Sequence, residues 1–284
     1  MAKQLKPVHE LFQFGILNID KPAGPTSFTI SDYIRKKLQL SKTSHFGTLD
    51  PQVTGVLPIA LGRACKLTGF FLGHDKEYIG VMHTHKEQDM EELQKIIKEK
   101  FTGVITQMPP IRSAVKRQER EREIMKFVLI EESESKKDFL FLAEVQGGTY
   151  IRKLCSDLGD LIGGAHMLEL RRIRAGVIKE ETIVNLYDFD KAAEKYRNGD
   201  DKDLRKMILP AEEAIKKVMP WIEVRKSAVK HLLHGKPLFK EDVESNVPEE
   251  DIFAVFSGDK FIEIVQKTDQ KGEDILAKAL FVFN

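Results

Sequence analysis

The chain holds only two cysteines, Cys65 and Cys155, in 284 residues. That is too few for a disulfide framework and excludes a small cross-linked secreted scaffold. Both read as small buried hydrophobes in a reducing compartment. No apolar run approaches the roughly 20 residues that a membrane-crossing helix needs. The N-terminal stretch MAKQLKPVHELFQF lacks an apolar segment followed by a small-residue cleavage site. No secretory signal is therefore read, and the expected compartment is the cytoplasm. A surplus of one charge is also missing, since 45 Lys and Arg face 44 Asp and Glu, leaving +1. This argues against a general nucleic-acid binder, although binding depends on where charge sits. There is no internal repeat and no low-complexity tract, which excludes a solenoid or a linker-like chain.

What is present is an ordinary globular composition, 42% hydrophobic, with a length that suits two domains. Residues 14–20 (FGILNID) are apolar and run into the Pro/Gly turn of KPAGPTS, the signature of a buried strand. Ser27 or Thr29 is then placed to cap a helix carrying Ile30, Ile34 and Leu38 on one face. Further strands are read at VLPIAL, at 77–85, at 138–145 and in LELRRIRAG. Amphipathic helices are read at 89–100, with Leu93, Ile96 and Ile97 inward, and from Ile151 on, with Leu154, Leu158 and Leu161 on one face. Strands and helices mix without βαβ alternation, which predicts an α+β fold: a largely antiparallel mixed sheet with flanking helices. After ILPAEEAIKKVMP, short strand-like runs (WIEVR, DIFAVFS, KFIEIVQ, ILAKALFVF) predict a small C-terminal β-barrel domain. The expected division is a catalytic domain at 1–217, whose N-terminal residues pack on the second unit, and a β-rich domain at 218–284.

Charge is patterned locally. Arg112, Lys116, Arg117, Arg120 and Arg122 cluster, as do Arg171, Arg172 and Arg174. Interleaving with Glu119, Glu121 and Glu123 also fits a solvated, self-paired face. The pair His83 and His85 is the nearest approach to a metal motif, and two histidines on one strand face are more often solvated. No metal is expected. The loop at 45–58 (HFGTLDPQVTGVLP) carries Gly47, Pro51 and Gly55 around Asp50. A carboxylate on a stiff loop between apolar segments is how one reactive group is presented, and it is equally how a turn aspartate binds backbone amides.

Five segments resolve that ambiguity by resemblance. KPAGPTS (21–27) followed by GTLDPQVTGVLP (47–58), KEY (76–78), PPIRSAVKR (109–117), GTYIRKLCSDLG (148–159) and GAHMLELRR (164–172) resemble the TruB/dyskerin family of pseudouridine synthases. SAVKR and GGAHM are more similar to the dyskerin side. VKHLLHG (229–235) and DIFAV (251–255) are similar to a PUA domain, a small RNA-gripping barrel. The resemblance implies a uridine-to-pseudouridine isomerase, which needs no cofactor because nothing is oxidised or lost. It gives Asp50 the catalytic carboxylate, Arg152 its ion-pair partner and Tyr78 the stacking ring. It implies substrate contacts for His45, Leu170 and Tyr150, and a supporting role for Lys21 in the catalytic loop. Taken alone, Tyr78 and Leu170 also fit core residues, His45 a loop polar residue and Lys21 a turn lysine. The partners implied are substrate tRNA or rRNA, an H/ACA guide RNA, and zinc-ribbon-like, Gar-type and kink-turn-binding proteins. The alternatives are a stand-alone synthase of the tRNA T-loop and a catalytically silent RNA scaffold.

Overall fold

A computed structural model describes residues 6–109, 116–268 and 274–284. The 110–115 part of the PPIRSAVKR motif, Arg112 included, lies outside the described residues. The first sheet contains β1 (Phe14–Lys21), β2 (Thr43–His45), β3 (Thr54–Gly62), β4 (Lys76–Thr84) and β5 (Gly103–Gln107). It continues with β6 (Arg120–Glu132), β7 (Asp138–Val145), β8 (Ala165–Ala175), β9 (Ile178–Lys179) and β10 (Ile208–Pro210). The strand order is β10-β1-β3-β8-β4-β7-β6-β5, with β2 on β3 and β9 on β8. Within this sheet, β3 and β8 run parallel and the other strand pairs are antiparallel.

Burial explains which sequence patterns were legible. β1 and β3 are buried on both faces and read as continuous apolar runs. β4 and β7 alternate strictly, with Tyr78, Met82, Phe139 and Phe141 on the buried face. The helices Met90–Lys100 and Ile151–Ile162 cover that face with Leu93, Ile97, Leu154 and Leu158. Leu161, expected inward, is 58% exposed. It lies at the edge of the apolar stripe, and Ile162 packs on the core in its place. The helix Ser27–Lys37 is capped by neither Ser27 nor Thr29. The Thr26 side chain accepts from Thr29 N, while Ser27 is buried and bonded elsewhere. The strands β5 and β6 were missed because β6 begins in alternating Arg and Glu, so its buried face shows only from Ile124 on. The Arg120–Glu123 stretch is thus the charged end of a strand. Cys155 is buried as expected, and burial pushes its thiol up to about 12. Cys65 is only partly buried.

The C-terminal sheet has β11 (Trp221–Glu223), β12 (Leu238–Phe239), β13 (Ile252–Ser257), β14 (Lys260–Lys267) and β15 (Ile275–Val282), in the order β11-β13-β14-β15-β12. One side closes a small core of Ile222, Leu232, Phe253 and Val265. The other packs on the first sheet, where Phe14 and Phe261 stack at 5.3 Å between ring centres. Among the described residues no helix is long and apolar enough to cross a membrane.

Candidate active site

The site is built at the one parallel seam of the first sheet. β3 meets β8 at Thr54 opposite Arg171 and Gly55 opposite Arg172. Gly55 has φ +97°, and a side chain there would place its first carbon 2.3 Å from the Arg172 carbonyl oxygen. Only glycine permits that approach. The loop just before β3 carries Asp50.

Three buried polar side chains hold this loop by its backbone. Lys21, fully buried, donates through Nζ to the carbonyls of Pro22 (2.9 Å), Pro51 (2.9 Å) and Val53 (2.8 Å). Burial lowers its pKa, and the nearby Asp50 charge opposes that shift. Ser27 accepts from Leu49 N at 2.8 Å and donates to Leu49 O at 3.0 Å. Arg172 donates to Gly47 O at 3.0 Å and to Val56 O at 2.8 Å. The backbone is therefore fixed on both sides of Asp50 while the carboxylate itself stays free to face the solvent.

Arg152 meets that carboxylate. Its Nη2 lies 2.8 Å from Asp50 Oδ2, with side chains 56% and 47% exposed respectively. Arg152 stands in the first turn of the helix Ile151–Ile162. Gln107, 2% exposed, fixes that helix start: its amide donates to Tyr150 O (3.3 Å) and accepts from Tyr150 N (3.1 Å). Tyr150 is thus the helix N-cap residue beside the ion pair. Tyr78 and Leu170 sit diagonally on the same buried face of β4 and β8, at 8% and 7% exposure. Gly80 faces Leu170, and any side chain there would collide with the Leu170 methyl at 2.8 Å. His45 pairs with the Thr48 hydroxyl through Nε2 at 3.0 Å. Burial, then the Arg172 charge, lowers its pKa and favours the neutral ring. The structure brings Asp50, Arg152, His45 and Lys21 to one loop and its border, with Tyr78 placed opposite Arg172 on the neighbouring strand.

Sequence reasoning missed Ser27, Gln107, Lys76 and Arg172 as parts of this site. Ser27 was visible as the last residue of the KPAGPTS motif, yet it was read as a helix cap. Arg172 was visible only as one of a basic cluster. Lys76 is buried beside Arg172, donates to Leu72 O at 2.5 Å and to His74 O, and burial lowers it to about 8. His83 and His85, taken as solvated, have partners: His83 meets Asp138 at 2.7 Å and His85 meets His166 at 3.2 Å. Among the described residues no group of three His, Cys, Asp or Glu is arranged to hold a metal.

Chemically, the site offers a half-exposed carboxylate paired with a guanidinium on a pinned loop, next to the strands that carry the Tyr78 ring and Leu170. Comparison with known proteins agrees. Residues 35–151 match the model of the TruB family pseudouridylate synthase N-terminal domain, and 152–216 match the tRNA pseudouridylate synthase B C-terminal domain. A probable tRNA pseudouridine synthase B of Methanopyrus kandleri is 43% identical over 257 residues, covering 89% of this chain and 75% of that one. Its counterpart in Archaeoglobus fulgidus is 39% identical over 275 residues, covering 95% and 83%. The crystal structure of a Cbf5–Nop10–Gar1 complex superposes with a TM-score of 0.89 at 36% identity, covering 98% of this chain and 88% of that one. An H/ACA ribonucleoprotein bound to a substrate RNA containing 2′-deoxyuridine gives 0.87 at 34% identity, covering 98% and 88%. On the sequence relatives, the fold and the loop that presents its carboxylate, this chain belongs to the TruB family of pseudouridine synthases, isomerases that act on uridine in RNA.

Proposed function

We propose that Asp50 is the carboxylate that drives isomerisation, with Arg152 as its counter-ion and Tyr78 as the ring on which the extruded uracil stacks. The observation that carries this reading is the Asp50–Arg152 ion pair at 2.8 Å, presented by a loop whose backbone is pinned on both sides. The reaction breaks N1–C1′, turns the uracil and joins C5 to C1′; the C5 proton leaves to solvent and N1 takes one up. An ionised Asp50 serves this either by attacking C1′ or by taking the C2′ proton to pass through a glycal. Both routes put the carboxylate against the ribose with the base extruded from its stack, at an unstacking cost of a few kcal/mol. Closure of RNA over the half-exposed pair would strip water from the carboxylate and leave the guanidinium as its charge partner. Leu170 bounds the ring's pocket, His45 contacts the target nucleotide as a neutral imidazole, and Tyr150 lies on the substrate side of the helix start.

The likeness to the Cbf5-containing complexes supports a guide-directed enzyme in an H/ACA ribonucleoprotein, with guide RNA and with zinc-ribbon-like, Gar-type and kink-turn-binding partners, acting on rRNA or tRNA. In this reading residues 1–217 form the catalytic domain and 218–284 a PUA-like RNA grip, in a cytoplasmic particle. The naming of relatives as tRNA pseudouridine synthase B favours a second activity, on the T-loop of free tRNA. Tritium release from C5-labelled uridine tests both. Wild type should release tritium from a tRNA transcript alone or after addition of guide RNA and partner proteins, and Asp50→Asn should bind but not release. Silence of wild type under both conditions would leave a scaffold that binds RNA without modifying it.

A further inference from the structure

Arg172 is 1% exposed and is among the largest fully buried side chains described. Among the described residues no carboxylate pairs with it. Its guanidinium instead donates to the carbonyls of Val56 and Gly47, at 2.8 and 3.0 Å, and Tyr78 is its cross-strand partner on β4, near enough to favour its charge. Burying a cation against neutral acceptors alone is costly, and an apolar side chain of similar size would suit the fold better. The chain keeps the cation where its three partners belong to three parts of the site. Gly47 starts the loop that presents Asp50, Val56 lies on β3 just after it, and Tyr78 stands directly opposite Arg172 on β4. Gly47 has φ +98°, and its missing side chain leaves room for Arg172, whose Nη1 would lie 3.3 Å from a β-carbon there.

We propose that Arg172 is a positioning residue that ties the Asp50 loop, strand β3 and the Tyr78 ring into one rigid unit, fixing the spacing between carboxylate and stacking ring while the uracil turns. This rests on the roles given above to Asp50 and Tyr78. A guanidinium is suited to it because its donors point in fixed, divergent directions in one plane, so the loop and strand carbonyls are held at set angles beside the Tyr78 ring. A lysine has the charge without that fork. The cost of a loose site is steep, because small displacements of reacting groups lower the rate much more than they lower binding. The same cation faces His45 and Lys76 and helps to hold both below their usual pKa, after burial in each case. Its removal therefore leaves an electrostatic signature that loss of a mere strut would not.

The test compares full-length wild type, Arg172→Gln, Arg172→Lys and Tyr78→Phe, with Asp50→Asn as the zero-rate reference. Tritium release gives kcat and KM, circular dichroism checks the fold, and NMR titration follows the His45 ring. For Arg172→Gln we expect kcat to fall at least about 30-fold with KM within about threefold, and the His45 pKa to rise. Arg172→Lys should restore His45 titration towards wild type while leaving most of the rate loss. Tyr78→Phe keeps both carbonyl anchors and removes only the hydroxyl, and should slow turnover in a folded protein. A folded Arg172→Gln with wild-type kcat, or with only a raised KM, overturns the proposal. Should that variant not fold, wild-type turnover by Tyr78→Phe or by Arg172→Lys overturns it instead. Should wild type itself release no tritium, the assigned function fails separately; an unmoved His45 titration in Arg172→Gln would then overturn the positioning role too.

Discussion

The Arg152 guanidinium lies 2.8 Å from the Asp50 carboxylate, although one stands at a helix start and the other on a loop before a distant strand. Their half-exposed state makes the pair weak as a stabilising contact, since solvent screens it. Under the proposed function its value is to leave Asp50 a charge partner when RNA excludes that solvent.

Arg152→Lys keeps the charge and loses the planar fork. The rate of tritium release should fall about 10²-fold, the size of effect seen when one preorganised donor is removed. The melting temperature should be nearly unchanged, because both side chains are exposed. Single-turnover release combined with thermal denaturation checks this; an equal loss in RNA affinity would instead make Arg152 a binding residue.

Lys21→Met leaves three backbone carbonyls without their shared donor. The buried cation costs desolvation, but the orphaned acceptors cost more, so the variant should lose on the order of 3 kcal/mol of stability along with its activity. Asp50→Asn, by contrast, should stay within about 0.5 kcal/mol of wild type. Denaturant unfolding of the two side by side separates support of the loop from chemistry on it.

Gly55→Ala places a methyl 2.3 Å from the Arg172 carbonyl in a left-handed backbone. The parallel seam must open to admit it, so the protein should be destabilised by roughly 2–4 kcal/mol and inactive even where folded. Gly24→Ala is the control: it too has positive φ, at +106°, but open space around it. It should retain the greater part of the activity in the same tritium assay.

Glu263 gives stability a pH dependence far from the active site. It is fully buried on β14, its two oxygens have no hydrogen-bond partner among the described residues, and burial, then the Asp242 charge, raises it from 4.5 to about 8. The folded state therefore holds a proton that the unfolded chain releases above about 4.5. The contribution is complete below pH 4.5, declines as pH rises, and is exhausted above about 8. In denaturant melts from pH 5 to 8.5, wild type should lose stability relative to Glu263→Gln, by about 4–5 kcal/mol at the top of the range. Parallel curves for the two proteins would show that Glu263 ionises normally.

Much of this was legible in the sequence, for physical reasons that differ by element. β1 and β3 are central strands and announce themselves as apolar runs, while β4 and β7 alternate because one face is covered by helices. The strand β6 did not, since its first four residues alternate partly buried Arg with exposed Glu and show no apolar face. Leu161 was misplaced because the edge of a helical stripe depends on what packs against it. Asp50 was legible because glycine and proline around a carboxylate betray a preset loop.

By itself the sequence determined the α+β class, the loop with its carboxylate and, through five motifs in register, the family to which the chain is similar. These depend on local backbone preferences and on residue types at fixed spacing, and both are written in one dimension. Only the tertiary structure decided that Ser27 braces Leu49 rather than caps a helix, that Gln107 fixes the start of the Arg152 helix, and that Arg172 lies buried between the Asp50 loop and two strands. Such roles arise where β3 runs parallel to β8, a pairing between distant segments. A buried polar side chain takes whichever acceptors that pairing leaves unsatisfied, and the sequence nearby carries no record of which those are.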